Sequence, residues 1–193
     1  FDRGDKIDIA ADSFANEVRV LMQEHAPGNT RLAVDKIMLH GADALRGVGV
    51  EIMDGEECTE KTRAVKSPDE INAMRCAMHA CEASIAAMEA AVEPGMTENE
   101  LFSILHKVNI QFDGDWIDGR MLASGPRTNP WYQEASDRVI EAGDLVAFDT
   151  DMIGPYGYCA DISRTWLCGS DTPTDAQRDV YRRAYDEVHA NMS

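Results

Sequence analysis

Three aspartates on two adjoining extended segments constrain this chain more than any other feature. Leu145-Val146-Ala147-Phe148 reads as a buried strand, yet it runs on into Asp149-Thr150-Asp151, placing two acids where an apolar strand should continue. Side chains two apart on a strand point to one face, so Asp149 and Asp151 share a face. Gly154-Pro155-Tyr156-Gly157 is a tight turn, and Tyr158 to Leu167 is the returning strand, with Asp161 inside Ala160-Asp161-Ile162. If Pro155 and Tyr156 are the central turn residues, a shift of one either way sets Asp161 opposite Asp149 or Asp151. Opposed Cβ atoms lie about 4.5–5.5 Å apart, and like charges there repel. A solvated sheet face would tolerate the repulsion. Against that, Leu145, Val146, Phe148, Ile162 and Trp166 around it read as buried, and Asp is depleted from strands. A divalent cation held by Asp149, Asp151 and Asp161 is the other resolution, turning repulsion into binding. Carboxylates alone do not determine which metal.

The surrounding pattern is helical on both sides. Ser67-Pro68-Asp69-Glu70 predicts a sharp helix start, with Ser67 as N-cap, Pro68 in the first helical position and Glu70 closing a capping box. Ile71, Met74, Met78, Ile85, Met88 and Val92 then form an apolar stripe that Pro94-Gly95 ends. A second box, Thr97-Glu98-Asn99-Glu100, opens a helix through Leu101, Ile104, Leu105 and Val108. A third, Thr174-Asp175-Ala176-Gln177, opens a helix expected to turn Val180, Ala184, Tyr185 and Val188 inward. Between them, Met121 to Gly125 reads as a strand entering a loop over 126–130, and Glu141 to Asp144 as a turn. Helix, helix, strands, helix in this order implies an α+β fold with an antiparallel sheet flanked by helices. Ser67 marks the domain boundary. Before it, Ile9 to Gln23 has helical spacing, Leu32 to Met38 suits a short strand or helix start, and Val48 to Met53 reads as a strand before Asp54-Gly55.

Charge narrows the partners. Among 193 residues, 18 Lys+Arg against 35 Asp+Glu leave a net charge of −17. Without a basic cluster, nucleic acid and anionic membrane surfaces are excluded as partners. No apolar run approaches the roughly 20 residues that span a bilayer. The five cysteines are odd in number and irregularly spaced, with no C-x-x-C pair. Reduced thiols and a cytoplasmic protein are therefore expected. His25 and His40 are isolated and read as surface or packing residues. The chain starts at Phe1 with neither an initiator Met nor a signal peptide, which suggests an excerpt of something longer.

The stretch from Leu145 to Asp151, followed by Gly157-Tyr158-Cys159-Ala160-Asp161-Ile162-Ser163-Arg164-Thr165, resembles the signature of the pita-bread metallopeptidases (methionine aminopeptidase, prolidase, aminopeptidase P, creatinase). Ser67-Pro68-Asp69-Glu70 with Met74-Arg75, Pro94-Gly95-Met96-Thr97-Glu98, and Ala123-Ser124-Gly125 fit the same family in the same order. The resemblance implies part of a pita-bread catalytic domain over 67–193, preceded over 1–66 by the end of a smaller N-terminal creatinase-like α/β domain. It implies a metal centre with two hairpin aspartates, a His and two Glu. Asp161 matches the second aspartate. The first is open, since Asp149 lies one residue too far from Asp161 for the family interval and Asp151 one too near. The His and two Glu have no counterpart here, and His189 follows the hairpin too soon to be recruited.

Peptidases of this family place a His shortly after the Ser-Gly loop. Here that loop reads Arg127-Thr128-Asn129-Pro130-Trp131-Tyr132. Trp131 and Tyr132 suit a cationic methylated group, by cation–π attraction of up to about 2 kcal/mol, or are ordinary loop packing. With the Asp-Thr-Asp motif, the pattern looks most like the dimethylsulfoniopropionate lyases of marine bacteria within this fold. That resemblance implies a small zwitterionic substrate, metal polarisation of its carboxylate, proton abstraction and release of dimethyl sulfide to give acrylate. Iron is the metal it implies, with zinc, manganese or nickel as alternatives, and a homodimer is the usual assembly. The general base is expected outside these residues. A metallo-aminopeptidase or prolidase and a non-catalytic binding module on the same fold are the competing readings.

Overall fold

A computed structural model describes residues 4–169 and 172–192. The chain divides into two compact units, Phe1–Lys66 and Ser67–Ser193. In the first, α1 (Ile7–His25) is followed by β1 (Arg31–Val34), α2 (Leu39–Gly47), β2 (Glu51–Asp54) and α3 (Glu56–Ala64). The strands pair in parallel, Arg31 opposite Glu51, with α2 as the crossover. Ala15, Leu45 and Val50 are buried at the centre of this unit, surrounded by Val18, Met22, Leu32 and Ile52. Gly55 turns the chain against β1 so closely that a Cβ there would meet the Val34 backbone at 2.8 Å. The sequence pattern anticipates α1 and the two short strands but not α2 or α3. The latter buries nothing, so it carries no apolar stripe to read.

The second unit opens with α4 (Pro68–Ala91) and α5 (Glu98–Gln111), both started by complete capping boxes. Ser67 accepts from the Glu70 amide at 3.3 Å while Glu70 accepts from the Ser67 amide at 2.7 Å. The stripe expected on α4 holds in its second half, where Ile85 and Met88 are buried and Val92 packs against the core, and gives way to small residues before it. Ile71 and Met78 are exposed, whereas Ala77, Ala80, Cys81, Ser84, Ile85 and Met88 are buried. Small residues are needed because the hairpin packs against the helix backbone: a Cβ on Gly154 would lie 2.9 Å from Ala77 Cα.

Two three-stranded antiparallel sheets follow. One has the order β3 (Ile117–Asp118), β6 (Asp151–Ile153), β7 (Cys159–Asp161); the other is β4 (Leu122–Ser124), β5 (Leu145–Phe148), β8 (Arg164–Leu167). The expected hairpin strands are thus each broken once. The register does not slip across the break: Phe148 pairs with Arg164 on one side and Asp151 with Asp161 on the other. One bent ribbon therefore links both sheets, and Phe148, stacked on Trp166 at 4.7 Å between ring centroids, lies buried in the core beneath it.

The last helix, α6 (Asp175–Asn191), starts at its predicted Thr174–Gln177 box. The inward face expected of it is absent. Val180, Tyr185 and Val188 are each at least half exposed, and no described residue of α6 is buried. Its period is amphipathic, but no layer among the described residues covers that stripe. All five cysteines are free thiols, and no described helix is long and apolar enough to cross a membrane.

Candidate metal centre

The break in the ribbon is where the acids sit. At Asp149 and Thr150, and at Ile162 and Ser163 opposite, side chains replace part of the backbone ladder. The Ile162 amide donates to Thr150 Oγ1 at 3.0 Å, and Ser163 Oγ donates to Asp149 Oδ1 at 2.6 Å. The Thr150 amide turns onto Asp149 Oδ1 at 3.1 Å, and the Asp149 amide donates outward to the Met121 carbonyl at 2.9 Å. Strand alternation puts Asp149, Asp151, Asp161 and Ser163 on one face and Thr150 on the other. Thr150 is fully buried.

Of the two registers the turn allowed, the structure adopts the one with Asp161 opposite Asp151. The five-residue reversal, with Tyr156 at φ 65° and Gly157 at φ 73°, supplies the shift. Asp149 lies across the diagonal from Asp161 on the same face. Partial desolvation first, then the charge and hydrogen bond of Asp149 and the charge of Asp151, push the Asp161 carboxyl above the usual carboxylate range. None of the three acids enters an ion pair among the described residues. A face of hard oxygen donors that lacks a countercharge fits a divalent cation as part of its donor set. It does not enclose one: among the described residues, no group of three or more His, Cys, Asp and Glu side chains is gathered closely enough to hold an ion.

The segment that follows the aromatic pair extends the same row. Glu134 bridges to Met121, which lies beside Asp149. Two strand spacings place Glu134 about 10 Å from Asp149, and Trp131 and Tyr132 lie just ahead of it. Their rings are 6.5 Å apart and tilted by 48°, an open pair instead of a closed cage. Tyr132 is 79% exposed and Trp131 36%.

A buried carboxylate, read in the sequence only within a capping box and the Pro94-Gly95-Met96-Thr97-Glu98 motif, pins this loop. Glu98 is fully buried. It accepts from the Ser124 amide and hydroxyl at 2.8 Å each, from Ser136 Oγ at 2.7 Å, and from Arg127. Arg127 also donates to the Glu134 carbonyl at 2.8 Å. Burial alone would raise the Glu98 pKa, but the bonds from Ser136, Ser124 and Arg127 outweigh it and hold the carboxyl below the usual range. Thr150 was likewise missed, although its place between two same-facing acids already assigns it to the core side.

The model of metallopeptidase family M24 matches residues 72–193. The chain belongs to this family. An Xaa-Pro dipeptidase from Bacillus anthracis superposes with a TM-score of 0.72 at 25% identity, over 89% of this chain and 47% of that one. The partial pita-bread expectation is borne out in this M24 chain. Two curated relatives are similar along its whole length. A protein named dimethylsulfoniopropionate lyase DddP from Roseovarius nubinhibens is 56% identical over 197 residues, and one of the same name from Roseobacter denitrificans is 53% identical over 197 residues. In each case the match covers 100% of this chain and 44% of the relative, so the chain spans less than half the length of these relatives.

Proposed function

We propose that this chain carries part of the active site of a metal-dependent carbon–sulfur lyase acting on dimethylsulfoniopropionate. The observation that carries the reading is the 56% identity, over the whole chain, to a protein named as that lyase. Two features of the site support it. The acid face asks for a cation, and the loop that holds a His in M24 peptidases offers Trp131 and Tyr132 instead.

The substrate has a carboxylate at one end and a sulfonium at the other. Asp149, Asp151 and Asp161 would hold the ion, completed by further ligands. A bound divalent metal, iron by the family resemblance, would supply Lewis acidity to the substrate carboxylate. Trp131 and Tyr132 would receive the dimethylsulfonium by cation–π attraction. A base removes the proton α to the carboxylate, the α–β double bond forms, and the β-carbon–sulfur bond breaks with its electron pair leaving on sulfur. The products are dimethyl sulfide, acrylate and a proton.

The test is headspace detection of dimethyl sulfide from full-length, metal-loaded protein, with Asp161→Ala alongside. Wild type is expected to release dimethyl sulfide, and Asp161→Ala to lose both bound metal and activity. Equal release by the two proteins, or Xaa-Pro dipeptide cleavage with no dimethyl sulfide, overturns the reading.

A further inference from the structure

Thr150 has no place in the chemistry just described, yet it is the residue on which the ribbon turns. Its hydroxyl accepts from the Ile162 amide at 3.0 Å and lies 3.3 Å from both the Ala160 and Ile162 carbonyls, to one of which it donates. On its helix side it meets the Cys81 thiol at 3.5 Å. Burial raises the Cys81 pKa, so the sulfur stays a protonated thiol that can donate. Thr150 therefore spends its one proton and both lone pairs on partners behind the acid face, where it is fully buried.

These bonds fall where the backbone ladder stops, between Phe148 paired with Arg164 and Asp151 paired with Asp161. An uninterrupted ladder would leave the Asp149 carboxylate stepped along the strand from Asp161. The break lets the Thr150 amide and Ser163 Oγ both grip Asp149 Oδ1, fixing that carboxylate on the face it shares with Asp161. We infer that Thr150 is a positioning residue for the acid face: its buried hydroxyl holds the bend that lets Asp149 and Asp161 share one ligand.

The inference rests on the metal reading above, and the test separates the two. Mn²⁺ alone is titrated into metal-free, full-length protein, with the free ion counted by its paramagnetic resonance signal. Wild type and Thr150→Ser are expected to bind with similar affinity. Thr150→Val, which keeps the volume and loses the hydroxyl, is expected to bind about ten- to hundred-fold more weakly, the loss usual when a partner that orients a ligand is removed. A purely structural role would lower the melting temperature of Thr150→Val equally with and without Mn²⁺. A positioning role reduces the gain in melting temperature that Mn²⁺ confers. If Thr150→Val does not fold, Thr150→Ser and Thr150→Ala carry the test, because they differ only in the hydroxyl. Val binding like wild type, or Ser and Ala binding alike, overturns the inference. Wild type that binds no Mn²⁺ overturns the metal reading and the inference with it.

Discussion

Asp161 is raised in pKa because folding partly desolvates it and sets it against Asp149 and Asp151. The consequence for stability has a definite sign. A carboxyl whose folded pKa lies above its unfolded value stabilises the fold while it is protonated, and that contribution is lost as pH rises through the folded pKa. The metal-free protein is therefore working against its own acid face at neutral pH. Asp161→Asn keeps the shape and removes the charge. We expect it to raise the metal-free melting temperature at pH 7. The gain should shrink toward zero as pH falls below about 3.9, the ordinary Asp value. Thermal melts of the two proteins across that range check this. A gain that is constant with pH would mean that the asparagine helps by packing and not by removing repulsion. The same substitution should abolish the stabilisation that added divalent cation gives wild type, because the repelling groups are the proposed ligands.

The elements show how much of this was legible beforehand. Each capping box announced its helix to the residue, because a Ser or Thr three positions before Glu or Gln is a local hydrogen-bond pattern that tertiary context does not alter. The acid pair and the turn were equally local, and left only a two-way choice of register. The ribbon's break was not local. It exists because Thr150 finds Ile162 and Cys81, partners twelve and sixty-nine residues away. The stripe of α4 holds at Ile85, Met88 and Val92 but fails at Ile71 and Met78 for a related reason: the deciding contact is between Gly154 on a distant hairpin and Ala77, and close approach favours the small residue there. That contact makes a prediction at the scale of the helix–hairpin pair. Gly154→Ala places a Cβ 2.9 Å from Ala77 Cα and Cβ. Overpacking of this kind costs about 1–3 kcal/mol. Chemical denaturation should show that loss, and Gly154→Ser should do no better. A neutral result would show that hairpin and helix can separate without penalty.

At the scale of the molecule, the second unit is a helical layer and a sheet layer joined by charge as well as by apolar packing. Glu98 stands at the start of α5, yet its partners Ser124, Arg127 and Ser136 belong to the end of β4 and to the loop beyond it. Arg138 extends the join, bonding Ser124 Oγ and pairing with Asp144 at 2.7 Å. A fully buried carboxylate in such a network cannot lose its charge without stranding its donors. Breaking one partner of a buried pair costs about 3–5 kcal/mol, and Glu98→Gln is expected to fall in that range at pH 7. The pH dependence runs opposite to that of Asp161. The folded pKa of Glu98 is depressed, so its contribution is fully present above the unfolded value of about 4.3 and is lost as pH falls through the lower folded value. Wild type and Glu98→Gln should therefore converge in stability in acid. Trp116, Trp131 and Trp166 all lie in this unit, so intrinsic fluorescence during denaturation follows it alone. Because Trp131 rides on the pinned loop, its emission in Glu98→Gln should shift toward that of solvated indole before the global transition. An early shift would show that this network, and not the aromatic pair's own packing, holds the loop in place. A single concerted transition would assign the loop's order to the sheet instead.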